Sequence, residues 1–270
     1  MRSVRARPRG TIAPAPPAAT EIGGRRARAV PLVLTLGLVL IALVPRANAH
    51  AVLAWSLWSA TATLLLWQAA LVKRWGPETT AGAARRPSLI LVPPRPQHYV
   101  QASCQLAVYV YWGWYWAPVY DFAWLLAAQL LFAYAFDMLL SWSRRGTYLL
   151  GFGPFPIILS TNLFLWFKDE WFYLQFVLVA AGFVGKEFIR WQREGRSVHV
   201  FNPSAFSLGL FSIVLIATGT TDVTWGPEIA STLSLAPNIY TFLFLVGLVV
   251  MYCFSVTLVA ASAAAVLFGL

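Results

Sequence analysis

The chain has 270 residues, of which 59% are apolar and only 11% charged, less than half the roughly 25% charged residues of an ordinary soluble domain. Mean hydropathy is +0.66, which excludes a disordered protein and argues against a soluble enzyme. Twenty basic against ten acidic residues give a net charge of +10. In a soluble domain that excess points to nucleic acid; here the basic residues sit between long apolar runs, and nucleic acid is not an expected partner. Two cysteines, Cys104 and Cys253, are too few for a disulfide framework.

The first 28 residues hold seven arginines and four prolines and read as a disordered basic tail suited to anionic lipid. A signal peptide is the rival reading, with Ala47-Asn48-Ala49 as a small-residue cleavage site and a mature start near His50. A membrane helix needs about 20 mainly apolar residues to cross about 30 Å. Windows of that kind run over Ala29–Val44, His50–Val72, Tyr99–Trp116, Val119–Trp142, Tyr148–Phe167, Trp171–Phe188, Pro203–Ala217 and Ile239–Leu258. Eight spans place residues 1–28, 73–98, 143–147 and 189–202, with Lys186, on one side; these hold 18 of the 20 basic residues, and Arg46 and Lys168 are left for the other. By the positive-inside rule the N-terminus is cytoplasmic. The expected fold class is therefore an all-α polytopic membrane protein of about eight transmembrane helices, multi-pass in the bacterial cytoplasmic membrane, with membrane lipids as partners. The expected organisation is a tail at 1–28, an accessory helix pair at 29–74, a Pro-rich cytoplasmic linker at 75–97 and a core at 98–270. Tyr109, Tyr111, Trp112, Trp114, Tyr115, Trp116 and Tyr120, then Trp166, Phe167, Trp171, Phe172 and Tyr173, read as interfacial aromatic belts.

Four features carry candidate chemistry. Asp137 is an acid inside an apolar run, five residues before the end of its window; it is a candidate for handling an ion or proton, or a partner for Arg144 or Arg145. Lys186 and Arg190 belong to the basic stretch Gly185–Arg196, suited to a cofactor phosphate or an acidic lipid, or present only as topological charge. Asn202-Pro203 opens the seventh window: the amide caps a helix whose first residue is proline, and that positive helix end attracts anionic groups, or the motif is only a well-capped helix entry. Two Gly/Pro-interrupted segments, Gly151–Pro156 and Asn202-Pro203, match the broken helices of transporters built from repeats. His98 and His199 lack the spacing of a metal set, and no metal is expected. Phosphate-loop, dinucleotide and nucleophile-elbow motifs are absent from the sequence.

The segment Val184–Leu210, VGKEFIRWQREGRSVHVFNPSAFSLGL, resembles the membrane family formed by the D-type membrane components of Rnf-type electron transport complexes and the B-type membrane components of the sodium-pumping NADH:quinone reductase. In that family a helix ends in Gly-Lys-Glu or Gly-Lys-Gln, and Phe-Asn-Pro opens the next; the matching residues are Gly185, Lys186, Glu187, Phe201, Asn202 and Pro203. Weaker similarity extends back to about Gln97. The resemblance implies about ten helices in two related halves, so that this chain, ending in an apolar run at Leu270, is a truncated or reduced inverted-repeat fold. It also implies a flavin, bound covalently in relatives with Asp-x-x-Ser-Gly-Ala-Thr. The comparable loop here reads Thr221–Glu228, with Glu228 at the acceptor threonine's place and Trp225 at the serine's. Covalent flavin mononucleotide is therefore not expected; a non-covalent flavin (flavin mononucleotide or riboflavin) is, with Lys186, Arg190, Asn202 and Pro203 as its binding residues and other membrane subunits as partners. The implied function is an integral membrane subunit of a redox-driven, flavin- or quinone-linked electron transport complex with ion translocation. A scaffold that has lost the flavin and a small-solute channel of urea-channel-like fold are the alternatives, and catalysis by this chain alone is doubtful.

Overall fold

The computed structural model describes residues 20–75, 87–193 and 196–269. Ten helices lie among the described residues: α1 (Gly24–Ala42), α2 (Ala51–Trp75), α3 (Pro96–Tyr115), α4 (Pro118–Arg144), α5 (Pro154–Asn162), α6 (Tyr173–Phe188), α7 (Pro203–Thr218), α8 (Gly226–Leu233), α9 (Ile239–Cys253) and α10 (Thr257–Gly269). Proline stands in the first turn of α3, α4, α5, α7 and α8. There its missing N–H breaks no helical bond and its φ is preset. Helix α7 stops at Gly219, whose φ of 67° is the left-handed conformation glycine adopts without strain.

Among the described residues five short strands accompany the helices, so the purely α expectation is corrected. Strand β1 (Thr20–Gly23) runs antiparallel to β2 (Ser88–Leu91), with Thr20 opposite Leu91, and β2 runs parallel to β3 (Thr147–Leu150), with Ser88 opposite Thr147. Strands β4 (Arg190–Arg193) and β5 (Arg196–His199) form an antiparallel pair that sets Arg190 opposite His199. Each is four residues long, too short for alternation to show in the sequence.

The strands fix the layout. The three-stranded sheet gathers the N-terminal segment, the linker and the α4–α5 connection at one end, and Glu187 at the close of α6 meets Arg144 and Arg145 there. At the other end Arg46 pairs with Asp121 and His50 with Asp169, while Phe167 bridges to Thr224. Residues 1–19 of the expected tail lie outside the described residues, but 20–28 form β1 and the first turn of α1. Within the linker 76–86 lie outside them, and 88–91 are β2. Helices α1 and α2 belong to the same core as α4: Gly37 lies against Leu131, and Trp67 meets Phe136 edge-on and donates its indole N–H to Ser143.

The eight-span fold class is overturned. Among the described residues one helix, α4, with 27 residues and a hydropathy of 1.7 in its best window, is long and apolar enough to cross a membrane. Helices α6 and α7 have 16 residues and α9 has 15, which is about 22–24 Å at 1.5 Å per residue, short of the roughly 30 Å required. The fifth window keeps nine helical residues, because Thr147–Leu150 is strand and Gly151–Gly153 precedes the helix. The eighth breaks into α9 and α10 at Ser255, whose φ is 56°. Helices α1, α2 and α3 have the length, but Arg25, Arg26 and Arg28, then Gln68, Lys73 and Arg74, then Gln97, His98, Gln101 and Gln105 dilute their apolar character. The cytoplasmic N-terminus and the truncated repeat attached to the eight-span count do not survive it.

The aromatic belts are also corrected in part. Trp112, Trp166, Phe167 and Phe172 are buried and stack into the core, with Phe122 against Trp166 at 4.2 Å, whereas Trp114, Tyr115 and Tyr120 are exposed. Exposed apolar side chains are numerous on the outer helix faces, among them Leu66, Ile213, Ile216 and Phe244.

Candidate functional site

The end that gathers the basic connections holds a cleft of about 370 Å³, in the size range of small-ligand sites. Its inner wall is Asp137, near the end of α4 and 3% exposed. Lys186, in the last turn of α6, places Nζ 2.8 Å from Asp137 Oδ2, and the buried Tyr148 of β3 donates its hydroxyl to the same oxygen at 3.2 Å. Burial, followed by the Asp137 charge, holds the Tyr148 phenol well above its ordinary range, so it remains a donor. The carboxylate thus has two donors, which is what keeps a charge tolerable in a buried position.

The next residue is turned to a different partner set. Glu187, also 3% exposed, lies 2.8 Å from Arg145, 3.4 Å from Arg144 and 3.8 Å from Arg190. Arg145 also donates to Ser141 at 3.2 Å. Among the described residues four cations therefore meet two carboxylates, an excess of two positive charges at the cleft. Arg145, Lys186 and Arg190 line it together with His199. Burial, then the charges of Lys186 and Arg190, lower the imidazole of His199 below its ordinary 6.5, so at neutral pH it is uncharged.

Three of the residues singled out in the sequence, Asp137, Lys186 and Arg190, are thus brought together. The partner expected for Asp137 is corrected: Arg144 and Arg145 hold Glu187, and Lys186 holds Asp137. Asn202 and Pro203 do not line the cleft. Asn202 Oδ1 accepts from the backbone N–H of Ser204 at 3.1 Å and from its hydroxyl at 2.8 Å, which caps α7. Pro203 is buried, with its carbonyl oxygen against Gly182 of α6. Their role here is to close α7 against α6.

His199 was legible only through the strand pair. It lies nine positions after Arg190 in sequence, and the antiparallel register makes them neighbours; Gly195 between two short runs is the hairpin signal. A second constellation was missed. Gln129 of α4, Asn162 of α5 and Gln175 of α6 are fully buried and bond to one another at 2.8–3.2 Å. Gln175 also accepts the backbone N–H of Phe167 at 3.0 Å, and the Asn162 carbonyl accepts the indole N–H of Trp166. A lone glutamine in an apolar helix is the signal, since a buried amide must find partners.

The flavin-loop residues lie at the opposite end. Glu228 faces Lys168 at 3.9 Å, and the Thr232 hydroxyl donates to the Glu228 carbonyl at 2.5 Å. Among the described residues no three His, Cys, Asp or Glu side chains gather as a metal set. Comparison with protein families, curated proteins and solved structures returns no match.

Proposed function

We propose that this protein is a membrane-seated subunit that binds a phosphate-bearing ligand in the Asp137–Lys186 cleft, the ligand being a non-covalent flavin of a redox-driven electron transport assembly. One observation carries the reading: Arg145, Lys186, Arg190 and His199, drawn from the end of α4, α6, β4 and β5, face one cleft with two positive charges in excess among the described residues. Phosphate oxygens accept charge-assisted hydrogen bonds from such a set. The residues suit the phosphate of flavin mononucleotide: Lys186 and Arg190 would hold it from either side of the α6–β4 junction, and Arg145, fixed by Glu187 and Ser141 at the end of α4, would close it. The flavin, when bound, supplies the electron-transfer chemistry. The chain's own residues bind and orient the anion, and the buried Asp137, with Lys186 and Tyr148 on one oxygen, keeps the ammonium of Lys186 in place.

The redox half of the reading rests on the resemblance of Val184–Leu210. The membrane half rests on α4 and on the exposed apolar side chains of the outer faces, since surfaces of that kind mark contact with lipid or with other subunits. An absorption spectrum of the detergent-purified, full-length protein, recorded before and after denaturation, tests it. A near-stoichiometric flavin band released by denaturation is expected. A colourless protein that also fails to take up added flavin mononucleotide overturns the redox reading.

A further inference from the structure

We propose that the cleft takes up a proton together with its anion, and that His199 is the residue that accepts the proton. The inference rests on the anion site proposed above and adds a binding partner to it. The register of β4 and β5 sets His199 directly opposite Arg190, and directly opposed residues project from the same face of a strand pair. Both line the cleft, and Lys186 of α6 lines it with them. Among the described residues, the remaining charged and titratable groups that face this space are Asp137 from α4, Arg145 just after it and Tyr148 from β3, with Glu187 held behind Arg145.

In the absence of an anion, His199 is kept neutral by desolvation and by two adjacent cations. A dianion seated between Lys186 and Arg190 reverses the electrostatic part of that balance. It screens the two cations from the imidazole and places negative charge within reach of it. Protonation then adds a third charged donor to the anion. By linkage, a ligand that raises the proton affinity of His199 must itself bind more tightly as the pH falls. The carboxylate that lines the cleft, Asp137, is already engaged, with Lys186 and Tyr148 meeting it at one oxygen.

Sulfate is the probe, because it stays a dianion across the range in which histidine titrates, whereas inorganic phosphate does not. Sodium sulfate is titrated into the full-length protein in detergent by calorimetry between pH 8 and pH 5.5, in two buffers of different ionisation enthalpy. An opposite charge close to a titrating group moves its pKa by about one unit or more, so the wild-type affinity is expected to rise about tenfold as the pH falls. The buffer comparison is expected to show uptake of a fraction of a proton at the midpoint. In His199→Gln and His199→Asn the affinity is expected to be independent of pH, and in Asp137→Asn the pH dependence is expected to persist. Sulfate binding in the wild type with no pH dependence and no proton uptake overturns this inference and leaves the anion site standing. A pH dependence that survives both His199 variants overturns the assignment to His199. No sulfate binding at any pH overturns the anion site and the inference with it.

Discussion

Removing Lys186 should damage the fold more than removing the acid it pairs with, and removing both should restore most of the loss. The side chain of Asp137 is 4% exposed, that of Lys186 27%. Lys186→Met strands a buried carboxylate with Tyr148 as its remaining donor, and breaking a buried pair from one side costs about 3–5 kcal/mol. Asp137→Leu leaves an ammonium that still reaches water, so its cost is expected at roughly half that. The double variant removes both charges from the apolar junction of α4 and α6, and its stability is expected within about 1 kcal/mol of wild type. For a chain of this size 1 kcal/mol moves Tm by about 2–4 °C. Thermal unfolding followed by tryptophan fluorescence should therefore place Lys186→Met roughly 6–20 °C below wild type, with the double variant recovering most of that. A Lys186→Met loss under about 1 kcal/mol, or a double variant as unstable as the two losses added, would refute a buried and coupled pair.

Three further outcomes follow from named contacts. Gln175→Leu withdraws the acceptor of the Phe167 N–H and a donor shared by Gln129 and Asn162; buried orphan groups cost about 1–3 kcal/mol each, and the loss should appear as a lower denaturation midpoint than that of Gln105→Leu at the half-buried rim of α3. A Cβ at Gly182 meets the Pro203 carbonyl at 3.0 Å, while one at Gly209 meets nothing within 4 Å. Gly182→Ala is therefore expected to destabilise by about 1–3 kcal/mol and Gly209→Ala to be neutral or to stabilise by up to about 1 kcal/mol, read from paired melting curves. The fold prefers the neutral imidazole of His199, since burial and then Lys186 and Arg190 lower its proton affinity. That contribution is complete above pH 6.5 and shrinks as the pH falls below 6.5, where the unfolded chain takes the proton first; unfolding midpoints from pH 8 to 5 should fall less steeply in His199→Gln than in wild type.

The helices were largely legible, but the number long and apolar enough to span a membrane was overestimated. Each apolar window contains a helix, because proline in a first turn and glycine after a last one punctuate this sequence clearly, as at Pro203 and Gly219. Hydropathy does not distinguish a helix that faces lipid from one buried among its neighbours, and it runs on through the strand and turn around Tyr148–Gly153 as if they were helical. The site was legible as residue types: an acid in an apolar helix, and a basic helix end. Its pairing was not. Lys186 and Glu187 are adjacent, yet the turn of α6 sends one to Asp137 and the other to three arginines. Such a choice is set by the packing of α4 on α6, which no local pattern records. Asn202 shows the converse: of the two readings the motif offered, helix cap and anion site, the contacts show the cap.

The central claim is that the cleft recognises phosphate. It is tested most directly by titrating flavin mononucleotide and riboflavin, which differ by that one group, into the purified protein and following quenching of flavin fluorescence. Charge-assisted hydrogen bonds contribute about 1.5–3 kcal/mol, so flavin mononucleotide is expected to bind about tenfold or more tightly than riboflavin, with the difference abolished in the Lys186→Ala, Arg190→Ala double variant. Equal binding of the two flavins, or a preference that the double variant retains, would contradict the account.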